Sequence, residues 1–212
     1  MNRAADYLDR TESAARHLLN GLDGYRAILR RAPVLVQCGG YASREEHDAA
    51  IDQWLETNES GLEARRFVER EYLAEHNALA ALCGSLLQLS VMTVQLFSNN
   101  KEVPESVRDI IQPGKKAATF SLGREIRTVS IGLVIYAGRN QYNHFDEGTL
   151  REPNSAIFER LATCGGYGER IRDPAFDLQN ESLRNYAPNI VGLLEWRGYD
   201  AYRADMESLL SI

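Results

Sequence analysis

The sequence predicts an all-α fold, a helical bundle of about six or seven helices built as a single domain over residues 1–212. Three observations carry that expectation. Apolar residues recur at three- and four-residue steps over most of the chain. Gly and Pro are few, 16 and 6 in 212 residues, so long elements run uninterrupted. Finally, no second run of β-branched residues offers a partner for the one strand-like segment. With 44% apolar residues the chain has enough material for a sizeable core. The composition excludes collagen-like, disulfide-scaffold and wholly disordered classes.

The first helix is expected from Arg3 to about Arg31, because Leu8, Ala15, Leu18, Leu19, Leu22, Tyr25 and Leu29 recur at three- and four-residue steps with charges between them. Pro33 ends it, and Gln37-Cys38-Gly39-Gly40 reads as a turn. Ser43 followed by Glu46 forms a capping box for a second helix running to about Glu56. After the Asn58-Glu59-Ser60-Gly61 break, a third and longest helix is expected from Leu62 to Phe97. Within it, Ala78 to Phe97 carries no charge, which meets the minimum length for a membrane span. Its Gln88, Gln95, Ser85, Ser90 and Thr93 fit a helix buried on all sides equally well, and the expectation is a buried helix in a soluble chain with no membrane partner. Pro104 to Ile111 reads as a short helix and Gln112-Pro113-Gly114 as a turn.

Thr128 to Tyr136 has strand propensity, but with no partner strand in view the expectation is a helix from Gly123 to Phe145. Further helices are expected over Thr149–Cys164, Ser182–Trp196 (with a kink at Pro188) and Tyr199–Leu210. Gly165-Gly166-Tyr167-Gly168 reads as a loop.

The net charge of −6 argues against a broad cationic surface for nucleic acid, and no recognition helix supports a sequence-specific DNA binder. Only three basic residues are lysines (Lys101, Lys115 and Lys116), and the other 21 are arginines. Lys115, Lys116, Arg124 and Arg127 form the most basic stretch, by default a solvated face and at most an RNA-guiding rim. Cys38, Cys83 and Cys164 are scattered, and the N-terminus lacks an apolar signal region, so a reduced, cytoplasmic protein is expected.

Several chemistries find no motif. Without G-x-x-x-x-G-K-[ST], Pro113-Gly114-Lys115-Lys116 reads as a loop rather than a phosphate cradle. His17, His47, His76 and His144 lack metal-ligand spacing, no G-x-S-x-G elbow occurs, and neither metal nor cofactor is expected. One pattern remains, Arg139-Asn140-Gln141-Tyr142-Asn143-His144. Arg10 with His17 and Arg70 with His76 have comparable spacings, but only Arg139 is followed by Asn, and only it follows an apolar run, Gly132 to Gly138.

This segment resembles the R-x4–6-H motif of the HEPN superfamily, in which a polar residue often follows the Arg. The resemblance covers about Gly123 to Phe145 and implies an all-α, HEPN-like domain. It further implies a metal-independent endoribonuclease, a toxin or defence effector, acting as a homodimer whose paired motifs form one cleft, with an antitoxin or effector-complex protein as a further partner. Arg139 and His144 would be catalytic and Asn140 supporting. One toxin subgroup carries a regulatory Tyr two residues after the His, and Asp146 stands there instead. Other members are non-catalytic dimerisation or interaction modules, which is the alternative expectation.

Helix geometry adds its own constraints. Positions five apart are rotated by about 140° and separated by about 7.5 Å, so Arg139 and His144 do not share a face. Asn140 and His144 do, which would let the amide hold the imidazole. An imidazole with its ordinary pKa of about 6.5 suits a general base on a ribose 2′-OH or a general acid to the 5′-oxygen. A guanidinium suits charge on the phosphorane-like transition state. An Arg and a His at a helix end also serve simply as counter-charges to the helix dipole, contributing a few tenths to about 1 kcal/mol.

Overall fold

A computed structural model describes residues 3–147, 149–165 and 171–211. Gly166-Tyr167-Gly168, expected to be loop, lies outside the described residues. Among those residues there are eight α-helices and one short hairpin, so the all-α expectation holds. The chain divides into two compact units, one of Met1–Leu22 with Ala78–Ile212 and one of Asp23–Asn77.

In the larger unit, helix α1 (Arg3–Leu29) buries Leu8, Ala15, Leu19 and Leu22 of the periodic set, whereas Leu18 and Tyr25 are half-buried and Leu29 is exposed. Helix α4 (His76–Phe97) is buried on more than one face, including Ser90 and Thr93. Their hydroxyls donate to the carbonyls of Leu86 and Leu89, each at 2.8 Å, so neither hydroxyl is stranded. This helix is long and apolar enough to cross a membrane, with a mean hydropathy of 1.6, yet 56% of that window is buried inside the protein. That burial fits a core helix.

The expected helix from Leu62 to Phe97 is in fact two, α3 (Glu59–Ala74) and α4. The Glu75 N–H bonds to Tyr72 O, three residues back, and the α ladder lapses there. No Gly or Pro marks the break in the sequence.

The expected start of the next helix at Gly123 is also corrected. Glu125–Ile126 (β1) pairs antiparallel with Val129–Ser130 (β2), and α5 runs Ile131–Asn143. The missing partner strand was the segment immediately before. Arg127 and Thr128 make the two-residue turn with φ of 51° and 64°, a conformation usually left to Gly or Asn. Arg127 holds it in place by donating to Asp173 at 2.8 Å and to the Leu161 carbonyl, with its guanidinium 4.8 Å from the Phe176 ring centroid.

Helix α5 is the axis of this unit. Ile131, Leu133, Val134, Ile135 and Ala137 are fully buried. It packs against α6 (Asn154–Thr163) and α7 (Ala187–Leu193). Two glycines permit the close fit. A Cβ on Gly132 would lie 2.3 Å from the Phe120 carbonyl oxygen, and one on Gly138 would lie 2.9 Å from Ile190.

Both following helices are shorter than expected. Helix α6 begins only after Pro153, at Asn154, whereas the sequence suggested Thr149. Ser182 to Tyr186 is not helical because its backbone is held from α5: Gln141 Oε1 accepts from Tyr186 N–H at 3.0 Å, and Gln141 Nε2 donates to Arg184 O at 2.9 Å. Pro188 sits in the first turn of α7 and kinks nothing, since an N–H there has no helical partner to lose. Helix α8 (Tyr199–Leu210) has its expected bounds. Between α4 and the hairpin the expected short helix is a single 3-10 turn, Glu105–Val107, followed by another at Lys116–Phe120.

The unit Asp23–Asn77 contains the end of α1, α2 (Arg44–Thr57) and α3. Ser43 caps α2 as the sequence suggests, accepting from Glu46 N–H at 3.1 Å, while the Glu46 carboxylate accepts from Ala42 N–H. Trp54 Nε1 donates to Val36 O at 3.1 Å. Val68 is buried, whereas Val34, Phe67 and Leu73 are well exposed.

Ion pairs stitch the C-terminal half. Arg172 makes a two-pronged contact with Glu159 (2.6 and 2.7 Å) and a second with Asp177 (3.0 and 3.1 Å). Those bonds hold both carboxyls below their ordinary range. A lowered folded-state pKa gives stability that is full above the unfolded value, about 4, and is lost as pH falls through the folded value. Arg172→Gln should therefore move the acid-unfolding midpoint to higher pH while leaving neutral stability changed by under about 1 kcal/mol, since the groups are largely solvent-screened. Circular dichroism from pH 7 to 2 checks this, and an unchanged acid midpoint would contradict it.

Candidate active site

Helix α5 ends in the hexapeptide singled out in the sequence. His144 is its C-cap, with its N–H bonded to Asn140 O and Gln141 O. The side chains of Arg139 and His144 diverge, as the helical rotation requires.

Arg139 points to α4. Its Nε donates to Gln88 Oε1 at 2.7 Å, and one terminal nitrogen donates to Asn140 Oδ1 at 3.0 Å. One turn earlier on α4, Gly84 leaves room for the Tyr142 ring, which a Cβ would meet at 2.3 Å. Gly84 and Gln88 lie on one face of α4, and Arg139 and Tyr142 on one face of α5, so a single helix contact sets both.

Asn140 is buried and engaged elsewhere. Its Oδ1 accepts from Arg139, and its Nδ2 donates to Asn154 Oδ1 at 3.1 Å. The amide therefore does not hold the imidazole, contrary to the expectation from their shared face. Glu147 does. His144 Nδ1 lies 2.5 Å from Glu147 Oε1. A carboxylate only accepts, so Nδ1 carries the proton in this pair, and in the neutral ring Nε2 is left as a lone-pair base. The imidazole is 49% exposed, open to a ligand.

A cavity of about 290 Å3 gathers Asn140, His144, Glu147, Leu150, Arg151 and Asn154. His144 and Glu147 also line a larger one, about 720 Å3, with Phe145, Asn180 and Arg184. Arg139 lines neither. The guanidinium that shares the smaller cavity with His144 is Arg151, which makes no ion pair among the described residues and is exposed.

Sequence reasoning missed both Glu147 and Arg151. The spacing of Glu147, three residues after His144, is the one signal that could have pointed to it. Arg151 lies beyond the helix in a segment without periodicity, and nothing local marks it. Of the most basic stretch, Arg124 donates to both oxygens of Asp205 (2.9 and 3.0 Å) and to Leu194 O, and Arg127 is tied to Asp173. Neither is available as an RNA-guiding rim. Elsewhere His17 Nδ1 bonds the Ser13 carbonyl on its own helix. No group of three or more His, Cys, Asp or Glu converges among the described residues.

Comparison with known protein families, curated proteins and solved structures finds nothing that matches this chain.

Proposed function

We propose that this chain is a metal-independent endoribonuclease of the HEPN type. The observation that supports it most is the His144–Glu147 pair lining one cavity with Arg151. In this reading His144 Nε2 removes the proton from a ribose 2′-OH, and the 2′-oxygen attacks the adjacent phosphorus. The 5′-oxygen leaves and takes up a proton. Arg151 binds the phosphate as charge builds on its oxygens, and Glu147 keeps the imidazole in the basic tautomer.

Arg139 then acts as a positioning residue. Held by Gln88, it fixes the Asn140 amide, which in turn bonds Asn154 at the cavity wall. A twofold dimer suits the chemistry, because His144 of the partner subunit supplies the acid for the 5′-oxygen while the first imidazole serves as base. A toxin or defence effector acting on cellular RNA is the biological role that follows.

The test is direct. The purified chain should cut RNA in excess EDTA, spare DNA of the same sequence, and leave 2′,3′-cyclic phosphate and 5′-OH ends. Specific activity should fall on dilution as the dimer separates. A requirement for divalent metal, or 5′-phosphate ends, would overturn the mechanism. The second reading, a non-catalytic interaction module, draws on Arg139, whose Nε and one terminal nitrogen are already bonded within the chain. Folded protein that cuts no RNA would favour it.

A further inference from the structure

The larger cavity beside His144 holds a carboxylate and a guanidinium that do not pair with each other. Glu181 and Arg184 both line its space of about 720 Å3. They stand three residues apart, yet neither side chain has a hydrogen-bond or ion-pair partner among the described residues. Opposite charges that share a cavity without meeting leave acceptor oxygens and a fork of N–H donors free for a ligand. Phe145, the residue after His144, is 54% exposed in the same space.

The segment that carries Glu181 and Arg184 is fixed at both ends. Gln141 on α5 accepts from Tyr186 N–H and donates to Arg184 O. The Tyr186 hydroxyl donates to Asp177 O at 2.5 Å, and Arg172 grips the Asp177 carboxylate. Asn180 Oδ1 accepts from Ser182 N–H at 3.1 Å, and its Nδ2 donates to Pro174 O at 2.9 Å. Asn180 therefore shapes the wall, and Glu181 and Arg184 are left to read what enters. A preset polar wall with an aromatic ring and the aliphatic Leu178 and Leu183 suits a nucleobase, which is flat and edged with hydrogen-bonding groups.

The two free groups choose among the bases. A carboxylate matches two parallel N–H donors, and a guanidinium matches two adjacent acceptors. Guanine alone among the RNA bases offers both, N1–H beside its N2 amino group on one edge and O6 beside N7 on another. Adenine, cytosine and uracil lack the adjacent donors. The position of the cut follows from His144 and Glu147, which line both cavities. With the scissile phosphate at Arg151 in the smaller cavity, the 2′-OH that His144 deprotonates belongs to the nucleotide on its 5′ side, whose base enters the larger one. We propose that the larger cavity is a guanine pocket, read by Glu181 and Arg184 and stacked by Phe145, so that RNA is cut on the 3′ side of guanosine, a selectivity that rests on the endoribonuclease reading.

Cleavage rates on defined single-stranded RNAs test this. Cutting after G should exceed cutting after A, C or U by at least about tenfold. Inosine, which lacks the N2 amino group, should be cut about tenfold more slowly than guanosine by the wild type and at the same rate as guanosine by Glu181→Ala. 7-Deazaguanosine, which lacks N7, should show the same convergence in Arg184→Ala. A variant that merely loosened the fold would slow all these substrates alike, as Phe145→Ala should, by about tenfold, because every base has a face to stack. Isothermal titration separates the pocket from the chemistry, with the trinucleotides ApGpA, ApApA and ApIpA made uncleavable by a 2′-deoxy central sugar. The G-centred one should bind at least about tenfold more tightly than the other two, and Glu181→Ala should remove that difference. G-selective binding without cutting keeps guanine recognition and removes the endoribonuclease reading. Cutting without base preference keeps the endoribonuclease reading and overturns the guanine pocket. Cuts before G rather than after it, equal binding of the three trinucleotides, or inosine discrimination that persists in Glu181→Ala would each overturn it as well.

Discussion

His144→Ala should lower the rate of RNA cleavage by between about a hundredfold and about ten-thousandfold, the range a positioned acid–base group supplies. Stability should hardly change, because the imidazole is half exposed and its strongest contact is a surface pair with Glu147. The Glu147 variants grade the mechanism further. Glu147→Gln keeps an oxygen that accepts from Nδ1–H and should retain more rate than Glu147→Ala, which frees the ring to rotate and change tautomer. Arg151→Ala should raise KM and lower kcat together, as expected for a group that holds the phosphate in the ground state and holds it more strongly in the transition state. Arg139→Ala should act differently. By releasing Asn140 it should lower kcat with little effect on KM, and Arg139→Lys should rescue little, because an ammonium does not reproduce the two bonds to Gln88 and Asn140. Single-turnover kinetics on a defined RNA separate these outcomes. Equal activity in His144→Ala and the wild type would remove His144 from the reaction.

Gly132→Ala should cost about 3 kcal/mol or more of folding stability, an unusually large effect for one methyl group. The new Cβ would lie 2.3 Å from the Phe120 carbonyl oxygen and 3.3 Å from that of Leu122. Both are backbone atoms, so no rotamer change relieves the overlap. The Leu122 carbonyl also accepts from Gly132 N–H at 3.2 Å, so moving the segment before the hairpin breaks a bond as well. Gly192→Ala in α7 is the control, since nothing lies within 4 Å of its Cβ position. It should be neutral or stabilise by up to about 1 kcal/mol, through the lower backbone entropy of an Ala in a helix. Urea titrations with matched m-values check both. A Gly132→Ala midpoint equal to that of the wild type would mean that α5 does not pack against the Phe120 segment as closely as described.

The largely helical character of the chain, the stripe of α1, the Ser43 cap of α2, the bounds of α8 and the polar hexapeptide closing α5 were all legible in the sequence. Each is a matter of residues three or four apart on one helix, and such spacing is local physics. What the tertiary structure alone decided involves groups far apart in the chain. The turn at Arg127 and Thr128 takes positive φ without a Gly because Asp173 and the Leu161 carbonyl hold the arginine. Ser182 to Tyr186 leaves the helix its pattern suggests because Gln141 binds its backbone. At the site, the sequence supplied His144 and the divergence of Arg139 from it. It did not show that Gln88 draws Arg139 to α4, that Asn140 bonds Asn154, or that Arg151 joins the imidazole's cavity. Periodicity records which face of a helix turns inward. Which distant side chain or carbonyl meets that face is fixed only when the elements pack, because those bonds depend on three-dimensional distance and leave no spacing in the chain.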